Sequence, residues 1–212
     1  AVTVDGTLNL GGAETIGSLA GAGTGSVANG GFLLTVGDAA SNTIFAGAIS
    51  GGGGLTKVGA STQVLSGTNT YGGTTTVSAG TLTLNGGTAI SDTAGTVDVA
   101  AGATLTLGAN ETVSALTSAG TINGAFTLQA ATYGLTAGQV DSNLGTGTLT
   151  KSGAGTATLN GTAGATTVNV TAGTLTLGST ERLANAAAVT VDGTLNLGGA
   201  ETIGSLAGAG TG

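Results

Sequence analysis

The pattern that decides the fold lies in residues 51–87, GGGGLTKVGASTQVLSGTNTYGGTTTVSAGTLTLNGG. Apolar and polar side chains alternate in its short runs, as in Leu82-Thr83-Leu84, and this period of two is typical of β-strands. The runs are separated by Gly, Gly-Gly, Asn-Gly or Ala-Gly, whose residues accept the positive φ of tight turns. The pattern therefore predicts an all-β protein. The best helical candidate, residues 181–188, is one Ala-rich stretch of about two turns.

The same strand motif recurs at intervals of roughly 20 residues, with GTLTL at 80, ATLTL at 103, GTLTL at 173 and GTLNL at 193. Short strands with glycine turns fit an antiparallel sandwich or a parallel β-solenoid. The recurrence favours the solenoid, because like strands stack there at about 4.8 Å per coil. The absence of Pro agrees, since Pro removes an N–H from the ladder. We expect Val, Leu, Ile and Ala inside the coils and Thr, Asn and Ser outside.

Repetition also occurs on two longer scales. Residues 1–25 recur without one change as residues 188–212, so that positions 1–187 form one complete period and position 188 begins the next. An older duplication aligns residues 55–84 with 149–177. We therefore interpret the chain as a window on a longer tandem array. The predicted segments of one continuous solenoid are half-repeat A (1–93), half-repeat B (94–187) and the start of the next repeat (188–212).

The composition excludes most catalytic chemistry. The chain has no His and no Cys, and therefore no imidazole base, thiolate nucleophile or soft metal ligand. The net charge is −7 with only three Lys and Arg residues, which disfavours nucleic acid or an anionic membrane surface as a partner. No apolar run approaches the length of a membrane-spanning helix. We expect no enzyme activity, no catalytic or metal-binding residues and no cofactor.

Residues 51–87 strongly resemble the passenger-associated strand repeat of bacterial autotransporters, the proteins of type V secretion. Half-repeat B keeps much of the pattern but has Gly161-Thr162-Ala163 in place of the Asn-Thr-Tyr element. The elements in half-repeat A are Leu55-Thr56-Lys57, Gly59, Val64-Leu65, Ser66-Gly67, Asn69-Thr70-Tyr71, Gly72-Gly73-Thr74-Thr75 and Ala79-Gly80-Thr81-Leu82. Those in half-repeat B are Leu149-Thr150-Lys151, Gly153, Asn160-Gly161, Thr166-Thr167-Val168 and Ala172-Gly173-Thr174-Leu175.

This resemblance implies a right-handed parallel β-helix with about 20 residues per coil. It also implies a passenger carried through the outer membrane of a Gram-negative-like bacterium and displayed on, or shed from, the cell surface. Passengers of this kind commonly act as adhesins, in aggregation or in biofilm. We expect the partners to be further copies of the repeat stacked end to end, and other cells, surfaces or like rods.

Individual polar residues are interpreted as structural or solvated. The carboxylates that recur with the repeat are expected to be solvated charges, and Lys57 and Lys151 to be solubilising or ladder-edge charges. Tyr71 and Tyr133 could stack on sugar rings, but we expect Tyr71 to pack within the fold. The carboxylates are Asp5, Glu14, Asp38, Asp92, Asp98, Glu111, Asp141, Glu181, Asp192 and Glu201. A structural calcium site at Gly37-Asp38 or Val191-Asp192-Gly193 is a weaker alternative, because the calcium-binding nonapeptide is absent.

Three functions fit the sequence. The leading hypothesis is an adhesive or mechanical repeat stalk, in which many weak identical contacts give avidity. The second is a self-assembling extracellular filament or surface layer. The third is ice binding, because outward Thr-x-Thr triplets could form flat ranks on a solenoid. These triplets lie at 81–83, 104–106, 148–150, 156–158 and 174–176.

Overall fold

The chain folds into a parallel β-solenoid. The computed structural model describes residues 1–37, 41–91 and 95–208. All strand pairings in these ranges are parallel, and each connects one coil with the next. Stacked partners are about 19 residues apart, and the coils number about 11. The predicted parallel β-solenoid is therefore confirmed.

The coils have three faces, which we call faces one, two and three. Face one is an unbroken sheet of 11 strands that runs through nearly the whole described chain. Its strands are β3 (Glu14–Ile16), β6 (Leu34–Val36), β9 (Leu55–Lys57), β11 (Thr75–Val77), β13 (Thr96–Val99), β16 (Ala115–Ser118), β19 (Thr132–Leu135), β22 (Thr148–Lys151), β24 (Thr167–Val170), β26 (Ala188–Val191) and β28 (Ser205–Ala207).

Face two contains a sheet of nine strands, preceded by the pair β1 and β4. A parallel bridge between Gly21 and Phe45 joins that pair to the sheet. The strands of face two are β1 (Val2–Thr3), β4 (Leu19–Ala20), β7 (Thr43–Phe45), β10 (Thr62–Leu65), β12 (Thr81–Leu84), β14 (Thr104–Leu107), β17 (Thr121–Asn123), β20 (Gly138–Val140), β23 (Thr156–Leu159), β25 (Thr174–Leu177) and β27 (Thr194–Asn196).

Face three is less regular. Two sheets of three strands lie along it, and isolated bridges from Ala163 to Leu144 and to Leu183 extend the second sheet. Backbone bonds such as that from Thr70 N to Ile49 O continue the stack between the two sheets. The strands of face three are β2 (Thr7–Asn9), β5 (Ser26–Gly30), β8 (Ala48–Gly51), β15 (Glu111–Thr112), β18 (Thr127–Gln129) and β21 (Asn143–Leu144).

The core is a narrow column of aliphatic side chains. In β12, β14 and β25 the sequence TLTL places both Leu side chains in the interior and leaves both Thr half-buried on the outer surface. Equivalent residues stack directly, as Leu82 does on Leu105. Each fully buried Leu stabilises the fold by about 1.5–3 kcal/mol relative to an exposed one. The alternation in the sequence thus specifies both the strand and its inner face.

Two local features refine the regular pattern. The best helical candidate, residues 181–188, is not a helix; it contains the bridge at Leu183, a turn and the start of β26, as the prediction of an all-β protein requires. Only a few residues connect one face of a coil with the next, which is too short for a helix, so the chain forms a turn there. Coil length also varies along the rod: the coil that stacks Tyr133 on Leu149 is short, whereas the coil that stacks Thr75 on Val97 is long.

Candidate functional site

The described residues contain no cluster of three or more carboxylates that could hold a metal ion. Asp38 and Asp92 lie outside the described residues, as does the boundary between the half-repeats at residues 93 and 94. None of the described residues is in a helix, and so no helix there is long and apolar enough to cross a membrane. The polar side chains with distinctive environments lie instead inside the solenoid.

Lys57 lies in the core. Its side chain is fully buried, and its Nζ donates to the carbonyl oxygens of Val58 at 2.6 Å, Gly59 at 2.9 Å and Ala79 at 3.2 Å. An ammonium group has three N–H donors, so these bonds satisfy all of them. Ala79 belongs to the next coil, and the amino group therefore links two coils. Burial lowers the pKa of Lys57 from its usual value.

Lys151 repeats this arrangement in the second half. Its Nζ donates to Ser152 O at 2.7 Å, Gly153 O at 2.9 Å and Ala172 O at 3.1 Å, and burial lowers its pKa too. Gly59 and Gly153 have φ values of 68° and 71°, a region that favours glycine. The Leu-Thr-Lys-x-Gly motif is thus a structural unit: a strand, an inward lysine, and a glycine turn whose carbonyls receive the ammonium group.

The interpretation of Lys57 and Lys151 as solubilising or ladder-edge charges is wrong. A signal for their burial was present in the sequence. Because alternate residues of a strand share a face, Lys57 must point to the same side as Leu55, and Leu55 is an obvious core residue. The charge of an inward lysine does not require exposure here, because the turn carbonyls supply the polar partners that burial requires.

Two of the recurring glutamates, Glu111 and Glu201, also make structural bonds, whereas Glu14 is exposed. The Glu111 carboxylate is buried and accepts from the backbone N–H groups of Ala89 at 3.2 Å and Ile90 at 2.8 Å, one coil earlier. Glu201 accepts in the same way from Arg182 at 2.9 Å and Leu183 at 2.6 Å. The interpretation as solvated charges is therefore wrong for Glu111 and incomplete for Glu201. On face three, both carboxylates thus accept hydrogen bonds from backbone N–H groups of the preceding coil, in place of the backbone carbonyls of a paired strand.

Two residues of the Asn-Thr-Tyr element of half-repeat A, Asn69 and Tyr71, are buried as well, whereas Thr70 is exposed. Asn69 accepts from Ile49 N at 2.6 Å and donates to Ala89 O at 2.7 Å, so that its amide joins three successive coils of face three. The Tyr71 hydroxyl lies 2.6 Å from Thr75 Oγ1. The prediction that Tyr71 packs within the fold is confirmed, and its burial raises its pKa far above the usual value.

Tyr133 is unavailable for stacking on sugar rings. It is 1% exposed, its hydroxyl accepts from Ala130 N at 2.8 Å and donates to Leu128 O at 3.1 Å, and burial raises its pKa. Tyr71 and Tyr133 are the two tyrosines of the chain, and both are core residues. The hypothesis of a tyrosine-based sugar site is wrong.

The Thr-x-Thr triplets are only partly brought together. Four of them lie on face two, where 81–83 stacks on 104–106, and 156–158 stacks on 174–176. Between these two blocks, Asn123 and Gln139 interrupt the threonine rows. The triplet 148–150 lies on face one. The result is two short threonine patches on one face.

An apolar surface is present at the C-terminal end of the described chain. Val191, Leu195 and Leu197 line an open depression there together with Leu206 and Ala207. Leu197 is 56% exposed and Leu206 is 67% exposed. The other large hydrophobic residues that are well exposed among those described lie singly or in a pair along the rod: Phe32, Leu33, Ile44 and Phe126.

Comparison with known proteins supports the resemblance seen in the sequence. The family model of the passenger-associated transport repeat matches residues 55–84 and again residues 149–177. These are the two segments that carry the buried lysines and the glycine turns. The resemblance to autotransporter passenger repeats is confirmed, and it indicates a secreted or surface-exposed protein. No curated protein and no solved structure matches the chain.

Proposed function

We propose that the chain is a segment of a repeat stalk on the surface of a Gram-negative-like bacterium, with a role in adhesion, aggregation or biofilm. The observation that carries this proposal is the unbroken sheet of face one, which runs from Glu14 to Ala207 with every pairing parallel. In such a stack each coil contacts only its neighbours, so that added repeats lengthen the rod without changing its cross-section. This is the property that a stalk requires.

The outer surface suits many weak contacts better than one strong site. Its strands present mainly Thr, Asn and Ser, and two of the three Lys and Arg residues are buried in the core. Repetition of such a surface along a rod multiplies a weak interaction by avidity. The same lack of exposed cations argues against nucleic acid as the partner.

A length series tests this proposal. Chains with one, two and four copies of the period (positions 1–187) would be attached to beads or displayed on cells. Electron microscopy should show rods that lengthen by about 46 Å per period, since a period spans almost ten coils of about 4.8 Å. Aggregation should rise more steeply than the number of periods. Rods that fail to lengthen would overturn the stalk, whereas lengthening without added aggregation would overturn only the adhesive role.

A filament or surface layer is the second candidate, in which the apolar ends at Leu197 and Leu206 of separate rods would join where no further repeat covers them. If rods join end to end, purified chain should form longer particles as its concentration rises, by sedimentation velocity. Leu206→Asp should abolish this growth, and Thr83→Asp, on the side of the rod, should leave it unchanged. Particles of constant size over the whole range would eliminate end-to-end assembly.

Ice binding is the third candidate, and the two threonine patches of face two are its support. The interruption at Asn123 and Gln139 leaves each patch with two adjacent threonine rows over only two coils. A single row, made by Thr62, Thr81, Thr104 and Thr121, extends over four coils. Thermal hysteresis that disappears in Thr83→Tyr would support this function. Its absence in the unmodified chain would remove it.

A further inference from the structure

We infer that the apolar C-terminal end, which belongs to the start of the second copy of the period, is covered by the remainder of that copy, and that each copy is turned by one face of the three-sided rod relative to the one before. The inference starts from the two identical segments, residues 1–21 and 188–208, both of which the structure describes. It rests on the proposed stalk only in assuming that repeats follow one another, and it is independent of any adhesive role.

The two segments fold alike locally. In the first, β1 stacks on β4 with Val2 beside Leu19, and in the second, β26 stacks on β28 with Val189 beside Leu206. A shared close approach of the backbone confirms the match. A Cβ on Gly21 would clash with the carbonyl oxygen of Val4, and one on Gly208 would clash with that of the equivalent Val191. The same sequence therefore builds the same coil at both places.

The two segments nevertheless lie on different faces of the rod. The first continues from β4 to β7 on face two, through the bridge between Gly21 and Phe45 and the bond from Ala46 N to Gly21 O. In the second, the equivalent strands β26 and β28 belong to face one. Identical residues thus occupy positions that differ by one face.

The number of coils in a period explains the turn. Starting from β1 on face two, nine complete coils lead to β25 on the same face. The chain then passes face three at Leu183 and reaches face one at Val189, the equivalent of Val2. One period is therefore nine coils and two further faces. Because this is not a whole number, each repeat is turned relative to the one before.

The departure of the period from a whole number of coils arises at one place in the sequence. From Leu55 to Leu149, which are equivalent in the two halves, face one advances by five complete coils, so the family-matched segments are in phase. Leu34 and Leu128 are also equivalent, because Leu34 precedes Leu55 by the same number of positions as Leu128 precedes Leu149. In half-repeat A the chain completes one coil between Leu34 and Leu55. In half-repeat B it completes one coil between Leu128 and Leu144 and then crosses to the next face to reach Leu149.

The first segment also shows what covers the exposed end. Leu19 is fully buried beneath β7, the strand of the following coil on face two, while the equivalent Leu206 is 67% exposed. Likewise Leu8 pairs with Val27 in β5. The remainder of the second repeat therefore supplies the occupant: its counterpart of Val27 covers Leu195, and its counterpart of strand β7 covers Leu206. Any surface feature then returns to the same side of the rod every third repeat, or about 140 Å.

The test is the structure of a chain of two periods, residues 1–187 followed by 1–212, by crystallography or electron cryomicroscopy. Superposition of residues 55–84 of the first period on their counterparts in the second should require a rise of about 46 Å and a rotation by one face. A rise without rotation would overturn the inference and leave the stalk intact. Failure of the two periods to form one rod would overturn the stalk as well.

A second measurement uses disulfides, because the chain has no cysteine of its own. Asn9 and Ala28 are stacked neighbours in the first period, so N9C with A28C should cross-link there as a positive control. In the two-period chain, N196C should cross-link with a cysteine at the second period's counterpart of Ala28. In an array without rotation, the counterpart of β7 would be the next strand on face two after Asn196, and Ile44 is the outward residue of β7. A cross-link from N196C to the counterpart of Ile44 would therefore overturn the inference.

Discussion

Residues 55–84 and 149–177 align along their whole length, yet they complete the third face of the solenoid in different ways. Both bury a lysine whose ammonium group is bound by three carbonyls. On face three, the first segment uses the Asn69 amide to join three coils, whereas in the second Ala163 makes direct backbone bridges to Leu144 and Leu183. The buried lysine and the glycine turn that binds it are thus the same in both halves, whereas the hydrogen bonds that complete face three differ.

The largest expected effect tests the constant part of this comparison. Lys57→Ala and Lys151→Ala should each destabilise the protein by about 3 kcal/mol, because each removes a buried stem and takes the ammonium donor from three partly buried carbonyls. Lys57→Met and Lys151→Met are matched controls that keep the stem and lose only the bonds, and they should cost about half as much. Urea unfolding gives the values. Equal stability of the alanine variants and the unmodified chain would contradict the burial of the lysines.

The next effect concerns the variable part. Asn69→Ala should destabilise the protein by about 2 kcal/mol, because the Ile49 amide and the Ala89 carbonyl both lose a buried partner. Hydrogen exchange should show faster opening at Ile49 in particular. Thr68→Ala is the control, since Thr68 bonds only to the exposed Thr88 hydroxyl, and it should change stability by less than about 0.5 kcal/mol. Unchanged exchange at Ile49 would show that the amide bridge is dispensable.

Tyr71 gives a smaller effect. Tyr71→Phe keeps the ring and loses the bond to Thr75 Oγ1, which should reduce stability by about 1 kcal/mol in urea unfolding. A double variant with Thr75→Val should recover part of that loss, because it removes the hydroxyl left without a partner. If Thr75→Val makes no difference to the effect of Tyr71→Phe, the two hydroxyls do not interact.

The tyrosines also predict a pH dependence. Burial raises the pKa of both Tyr71 and Tyr133, so the neutral phenols favour the folded state fully below pH about 10, and this contribution is lost as the pH rises beyond that value. Burial lowers the pKa of Lys57 and Lys151, and their contribution has the opposite sign: it increases with pH up to about 10.5.

Ultraviolet absorbance of tyrosinate separates these contributions, because the chain has two Tyr and no Trp. The folded protein should show no tyrosinate near pH 10, and both groups should ionise together when alkaline unfolding begins. The same chain in urea is the control and should titrate near pH 10. Ionisation of one tyrosine in the folded state near that pH would show that it is accessible to water.

The smallest effect lies on the outer surface, where the two halves should behave alike. Thr56 and Thr150 are equivalent and half-buried on face one. Replacement of either by Ser should change stability by less than about 0.5 kcal/mol, because the outer row of a solvated sheet tolerates small polar residues. Urea unfolding of both variants measures this, and a large difference between them would show that the surface environments of the halves are not equivalent.

Much of the architecture could be predicted from the sequence. The alternation in TLTL specifies which Leu side chains face inward, and the recurrence of that motif predicts parallel stacking, since like strands then lie above one another. The identity of positions 1–25 with positions 188–212 specifies the period. These features are local or repetitive, and so a single chain reveals them.

The remaining features depend on geometry that no local pattern encodes. The number of faces that the chain passes between Leu34 and Leu55 emerges only from the pairing of β6 with β9, since half-repeat B spans the equivalent interval with one face more. The carboxylate of Glu111 finds its partners, Ala89 and Ile90, in the preceding coil, whose register must already be known. Lys57 is the exception, because the alternation of its own strand indicated its burial.

The burial of Lys57 and Lys151 also determines how two such rods interact at a distance. With both ammonium groups inside, Arg182 is the remaining Lys or Arg residue of a chain that carries ten carboxylates. Neighbouring rods are therefore like-charged polyanions that repel each other within a screening length of about 8 Å at physiological ionic strength. Salt or acid weakens that repulsion, so the ionic composition of the surroundings sets how closely a dense layer of these stalks can pack.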